Sequence, residues 1–312
     1  MQDAKNTGDT ASVASRLAAT RAGVIGLGRM GSEFAKLLLA GGVHVTAYDL
    51  DPARVQRIAK KGATAASNLG DFAECELVLT SLPDDDVVRA VVLSPSGLAS
   101  VLRPGSTHLS ASTIGVAFCR ELNAAHRDLG QTLVAMPVLG NPELAAARGL
   151  FILLGGPTET ITRYLPVIEI LGQRSFHVAE EPWLASAMKL AGNMLTAATL
   201  QSMGEVFAFL AKAGVPPERT QQILTGSLFD GRVHKTYGGK IVERRYMPPG
   251  MTVPLATKDL RLLLAEAERS NVPMPLASLL HDRLVAVQAR GWSELDWSAL
   301  GRLAAFEAGI TE

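Results

Sequence analysis

The stretch AGVIGLGRMGSEFAKLLLAGGVHVTAYDLDP, Ala22 to Pro52, decides how the chain is read. A short apolar segment leads into three glycines, Gly26, Gly28 and Gly31. A helix-like apolar periodicity follows, and then a second apolar segment that ends on Asp49. Gly26 permits a tight turn, Gly28 lets a pyrophosphate approach the backbone, and Gly31 lets helix and strand pack closely. The helix start offers free N–H groups and the positive end of its dipole to phosphates. Glycine-rich turns are common, but the strand–turn–helix setting makes this one specific. Asp49 lies about twenty residues past the glycines, where a carboxylate accepts hydrogen bonds from an adenosine ribose and repels a 2′-phosphate. Leu50 follows it, not arginine. The predicted cofactor is therefore NAD, with NADP the alternative if Arg54 reaches a phosphate.

Outward from this stretch, short apolar runs alternate with helical patterns. Residues 22–26, 43–48, 77–82, 107–111, 132–136 and 151–156 read as strands buried on both faces. Helical patterns over 31–40, 52–61, 85–93, 116–129 and 158–171 separate them. This alternation predicts an α/β fold, a Rossmann-type doubly wound parallel sheet. The texture changes near Glu181. From Pro182 to Gly214 there is no strand-like punctuation, which predicts a helix of roughly thirty residues. Further helices are expected over 217–225, 258–270, 275–290 and 294–308. The expected domains are a disordered extension over residues 1–20, a dinucleotide-binding domain over 21–181, and an all-helical second domain over 182–312.

The 312 residues suffice for two domains. Thirty basic residues balance thirty acidic ones, which argues against nucleic acid or an anionic membrane as partner. Two cysteines, Cys75 and Cys119, fit a reducing, cytoplasmic setting and offer no metal-ligand spacing, so no metal is expected. No apolar run is expected to approach the length of a transmembrane helix.

Two further stretches carry chemistry. In ASAMKLAGNML, residues 185–195, Lys189 and Asn193 are four apart and share one helix face amid alanine, leucine and methionine. An apolar surround destabilises an ammonium and makes it a better proton donor and acceptor near neutral pH. Its charge also suits a developing alkoxide. In ATKDLRLLL, Lys258 and Asp259 are expected to open a helix, with Asp259 favoured by the dipole.

Together these pieces resemble the β-hydroxyacid dehydrogenase family, which includes 3-hydroxyisobutyrate dehydrogenase and semialdehyde reductases. The resemblance runs from about Arg21 to the C-terminus. It rests on Gly26-Leu27-Gly28-Arg29-Met30-Gly31, Leu82-Pro83, Ser112-Thr113, Lys189 with Asn193, and Lys258-Asp259, in that order. It implies cofactor contacts from Gly26 through Gly31, Asp49, Leu82, Pro83, Thr113 and Lys258. It implies a catalytic Lys189, with Ser112 and Asn193 orienting a small-molecule substrate. It also implies an active site in a cleft between the domains, a homodimer or homotetramer, and reversible hydride transfer between nicotinamide and a hydroxyl-bearing carbon.

The chain departs from the family pattern at the substrate loop. Leu139 stands in Pro137-Val138-Leu139-Gly140-Asn141 where a serine is usual, so one hydrogen bond to an acid is missing. Backbone donors at Gly140 and Asn141 are expected to remain. Ala185 replaces a usual glycine, and Trp183 adds bulk. In the polar stretch over 227–251, Arg232 and Tyr237 are the expected replacements for the lost contact. A site that gives up a polar anchor selects less strongly for the group it gripped. Reduction of imines or non-acid carbonyls is therefore the alternative activity. A non-catalytic NAD-binding interaction domain is the third reading, and the retained Lys189 speaks against it.

Overall fold

The computed structural model describes residues 15–310. Most of the expected N-terminal extension lies outside that range. Its last residues do not fit a disordered reading: residues 15–19 are helical, Leu17 packs on the core, and Thr20 is buried, its N–H and hydroxyl both donating to the Arg16 carbonyl.

The chain forms two compact units, the first ending at Lys189 and the second beginning at Leu190. In the first, β1 (Arg21–Ile25), β2 (His44–Tyr48), β3 (Thr64–Ala65), β4 (Leu77–Thr80), β5 (Thr107–Ser110) and β6 (Thr132–Ala135) form a parallel sheet in the order β3-β2-β1-β4-β5-β6. The order reverses beside β1, which places a switch point at the glycine turn. Helices α1 (Arg29–Ala40), α2 (Pro52–Ala59), α3 (Asp85–Val92), α4 (Leu98–Val101) and α5 (Val116–Asp128) connect these strands.

The sheet is mixed rather than wholly parallel. Strand β7 (Val138–Leu139) and a short helix α6 (Pro142–Ala146) form an excursion before β8 (Phe151–Gly155). β8 runs antiparallel to both β6 and β7. Helix α7 (Thr158–Glu169) then leads to β9 (Arg174–Ala179), parallel to β8.

The uniformly apolar strands are explained by two cores, one on each face. Val24, Leu79, Val134 and Leu154 belong to one cluster; Ile25, Val78, Leu133 and Leu153 belong to the other. Strand side chains alternate faces, so a strand covered on both sides needs apolar residues at every position. Asp51 and Asp84 cap α2 and α3 by accepting from Ala53 and Val87 N–H, each at 2.9 Å; such caps contribute about 1 kcal/mol.

Helix α8 (Pro182–Lys212) crosses from the first unit into the second. Its first turns belong to the sheet. Ala185 is buried in the second core, and a side chain on Gly155 would meet its Cβ at 2.9 Å. Over its best eighteen residues α8 has a mean hydropathy of 1.3, the length and apolarity of a membrane span. This corrects the expectation from the sequence, where Lys189, Asn193, Gln201 and Glu205 interrupt the apolar residues. Within the helix Ser186, Lys189, Asn193 and Gln201 are buried.

The second unit is helical: α9 (Pro217–Thr225), α10 (Arg232–Val242), α11 (Val253–Arg269), α12 (Pro275–Ala289) and α13 (Ala299–Glu307). Lys258-Asp259 does not open α11. The helix starts five residues earlier, with Pro254 in its first turn, and Asp259 is 2% exposed rather than a solvated first-turn charge.

Candidate functional site

The glycine turn has the strain and the space its sequence implies. Gly26 has φ +87°, and a side chain there would strike the Ser81 carbonyl. Any Cβ on Gly31 would overlap the Gly26 carbonyl oxygen. Gly28 is the N-cap of α1 with no side-chain cap, and its missing Cβ faces open space. The helix start therefore presents uncapped N–H groups to an open cradle, which fits a pyrophosphate. Met30 packs on the core, while Arg29 pairs with Glu143 at 3.4 Å, linking this turn to α6.

Asp49 follows β2. Its Oδ2 accepts from Leu27 N–H at 2.6 Å and its Oδ1 from Asp51 N–H at 2.9 Å. The Arg54 guanidinium lies 3.5 Å from Oδ2. The sequence singles out Arg54 but does not show this pairing.

The loops after β4 and β5 are tied together. Ser112 Oγ accepts from Leu82 N–H at 2.9 Å, and Asp85 Oδ1 accepts from Gly115 N–H at 3.0 Å. The two pairs quoted from the sequence, Leu82-Pro83 and Ser112-Thr113, are thus neighbours. Because Ser112 accepts this bond, its own proton remains to be donated elsewhere. Ser112 is buried, Thr113 half-buried and Pro83 exposed.

Behind these loops lies a buried polar chain. Gln131 Nε2 donates to the Ala99 and Leu102 carbonyls at 2.8 and 2.7 Å. Its Oε1 therefore accepts from His126 Nδ1–H at 2.7 Å. His126 Nε2 in turn accepts from His108 Nδ1–H at 2.9 Å, and His108 Nε2 from the Thr80 hydroxyl at 2.8 Å. Burial holds both imidazoles below their usual pKa, His108 well below, with the neighbouring His126 adding to the effect on His108. Burial likewise pushes the Cys119 thiol up to about 12 and raises that of Cys75, so neither is poised as a nucleophile.

In the loop expected to hold substrate, Leu139 pairs with Phe151 across β7 and β8 and packs on the second core. Gly140 has φ +144°. Asn141 spends its side chain capping α6, accepting from Leu144 N–H at 2.9 Å. Trp183 carries Arg120 over its ring at 5.3 Å.

Lys189 is 8% exposed, with Asn193 one turn on and also buried. Asn193 Nδ2 donates to Asp259 Oδ2 at 2.6 Å, and Lys258 Nζ lies 3.2 Å from the other carboxylate oxygen. Asp259 thus joins two residues the sequence had singled out separately. The 66-residue separation hid that link. Arg232 opens α10 and is exposed. Tyr237 packs edge-on to Trp297, with Lys240 over its ring at 5.4 Å. Among the described residues no group of three or more histidine, cysteine or carboxylate side chains is placed to hold a metal ion.

A Rossmann-type unit with this turn and acid, followed by a helical unit, defines an NAD(P)-dependent dehydrogenase or reductase acting on CH–OH or carbonyl groups. Residues 21–179 match the family described as the NAD binding domain of 6-phosphogluconate dehydrogenase. Residues 184–304 match the family described as NAD-binding of NADP-dependent 3-hydroxyisobutyrate dehydrogenase. The chain belongs to the β-hydroxyacid dehydrogenase family, the group related to 3-hydroxyisobutyrate dehydrogenase. It is 35% identical over 278 residues to the uncharacterized oxidoreductase YfjR of Bacillus subtilis, covering 89% of this chain and 97% of that one. It is 28% identical to the 2-(hydroxymethyl)glutarate dehydrogenase of Eubacterium barkeri, covering 89% and 92%. The structure of Mycobacterium tuberculosis 3-hydroxyisobutyrate dehydrogenase with L-serine superposes with a TM-score of 0.83, at 26% identity over 91% of this chain and 98% of that one.

Proposed function

We propose that the protein interconverts a short hydroxy acid and its aldehyde, with Lys189 as general acid and base and NAD(H) as the preferred cofactor. The bound nicotinamide supplies or accepts the hydride. The observation that carries the reading is Lys189 itself: a lysine 8% exposed on an apolar helix, followed one turn later by an asparagine that Asp259 holds in place. In reduction Lys189 Nζ gives a proton to the substrate oxygen; in oxidation it takes that proton back. Ser112, already an acceptor for Leu82 N–H, donates its hydroxyl proton to the substrate. Asp259 takes one amide N–H of Asn193 and so decides which way that amide faces. Lys258 lies on the cofactor side, beside the same carboxylate. The backbone N–H groups of Gly140 and Asn141, with Arg232 or Tyr237, are the proposed grip on a carboxylate.

Two of the three relatives quoted above support this substrate class, since they are named for hydroxy acids. Asp49 supports NAD, because its carboxylate stands where a 2′-phosphate would be repelled. Leu139 favours a second reading, reduction of an aldehyde or imine without a carboxylate, because it brings apolar surface to the loop that grips the acid. Exposed Met188, Leu195 and Phe209 along α8 support a homodimer.

The test is the loss of nicotinamide absorbance with NADH and NADPH separately, against short semialdehydes and a cyclic imine. Lys189→Ala is expected to lower kcat by about 10²–10⁴-fold while leaving the Kd for NADH unchanged. Turnover that ignores the lysine would overturn the proposal. Turnover of the imine alone would select the second reading.

A further inference from the structure

Among the described residues, nine helix ends close in the same way. A residue just past the last turn is left-handed and bonds back three residues, and the next N–H bonds back five. Glycine takes the left-handed position at six of them: Gly42, Gly62, Gly130, Gly214, Gly291 and Gly309. Asn271, the residue type that tolerates this conformation best after glycine, takes a seventh. Arginine takes the other two, Arg148 at φ +55° and Arg244 at φ +51°. An arginine there carries a steric penalty that glycine avoids and adds nothing to the helix closure. Arg148 follows the substrate loop and α6. Arg244 has no such neighbour, yet it borders a cavity.

That cavity lies within the helical unit and has a volume of about 590 Å³, the size of a small-molecule site. Phe207, Ile241, Tyr246, Trp292 and Phe306 give it apolar and aromatic walls. Its only charged lining residues, among those described, are Arg244 and Arg302. Arg302 stacks over Trp292 at 4.2 Å, Trp292 meets Phe306 edge-on at 6.2 Å, and Arg290 stacks over Phe306 at 3.9 Å. The aromatic wall is therefore assembled before any ligand arrives. Glu243, the acid nearest Arg244 in sequence, pairs instead with Arg245 at 2.9 Å, and among the described residues no carboxylate pairs with Arg244.

We propose that this cavity binds an amphipathic carboxylate, its apolar body against Phe207, Trp292 and Phe306 and its charge on Arg244 and Arg302. The occupant is a small anion rather than a second copy of the chain, because the cavity is concave, aromatic-walled and charged with one sign only. Such a ligand would act on the helical unit, separately from the substrate of the proposed reaction.

The experiment is calorimetric titration of the full chain with octanoate and, as the uncharged control, 1-octanol. It needs no turnover, so its outcome is independent of the proposed activity. One octanoate is expected to bind per chain, at least tenfold more tightly than 1-octanol, and to quench the Trp292 fluorescence that Trp292→Phe removes. Arg244→Gly restores the residue this helix end favours, so it is expected to keep or raise the Tm. It should nonetheless weaken octanoate at least tenfold and leave 1-octanol unchanged. No binding of octanoate, equal binding of the two probes, or unchanged affinity in Arg244→Gly would each overturn the proposal. So would a dimer that comes apart in Arg244→Gly, since a second copy would then be the occupant.

Discussion

The first unit buries polar groups as a neutral chain, from Thr80 through His108 and His126 to Gln131. The helical unit buries them as an ion pair, with Lys240 Nζ 2.9 Å from Asp296. In the chain each neutral histidine donates to one neighbour and accepts from the other, so nothing charged leaves water. Asp296 is instead fully buried. It gathers the Lys240 ammonium and Gly250 N–H on one oxygen, and Ser298 N–H and hydroxyl on the other. The difference teaches that burial is tolerated by two routes: no formal charge at all, or one carboxylate met by enough donors to replace its water. The routes fail differently. A broken neutral chain leaves a polar orphan, whereas a broken ion pair leaves an ion.

Asp296→Asn should therefore produce the largest loss. It strands the Lys240 ammonium, at a cost of about 3–5 kcal/mol, read as a shift in the denaturant midpoint. Asp296→Asn paired with Lys240→Met is expected to recover part of that loss; no recovery would mean that the stranded cation is not the cause. Gln131→Leu should cost less, about 1–3 kcal/mol, because it unpairs neutral groups only. A loss matching that of Asp296→Asn would erase the distinction.

The last test is the pH response of the neutral chain. Both imidazoles have folded pKa values below the unfolded value of about 6.5, so the unfolded chain takes up protons first as pH falls. Their contribution to stability is complete above about pH 6.5 and is lost as pH falls below it towards the depressed folded values, by at most about 1.4 kcal/mol per pH unit for each histidine. Melting curves between pH 7.5 and 5 should show this slope. A double replacement, His108→Leu with His126→Leu, should flatten it, and an unchanged slope would refute the assignment.

The sequence made the nucleotide half legible because its signals are local. Gly26, Gly28, Gly31 and Asp49 lie within one strand–turn–helix–strand unit, and Lys189 and Asn193 within one helical turn. Nonlocal features stayed hidden. β9 has no fully buried residue and no apolar run. β7 is two residues long, and the reversal of β8 depends on that short excursion. α10 carries two adjacent glycines, Gly238 and Gly239, which lower helix propensity, and Gly238 is buried where a side chain would strike Gln221. The role of Asp259 was illegible because its partner Asn193 lies in another helix.

The Asp49 carboxylate is also a fastener. It holds Leu27 N–H on one side and Asp51 N–H on the other, so the glycine turn and the start of α2 are tied through one side chain. For anyone redesigning the enzyme to use a phosphorylated cofactor, the obvious edit at this position removes two backbone anchors along with the negative charge. With the role proposed for Asp49, cofactor preference and loop order are one trait, not two. A replacement must bring its own acceptors, or the turn will loosen before the preference changes.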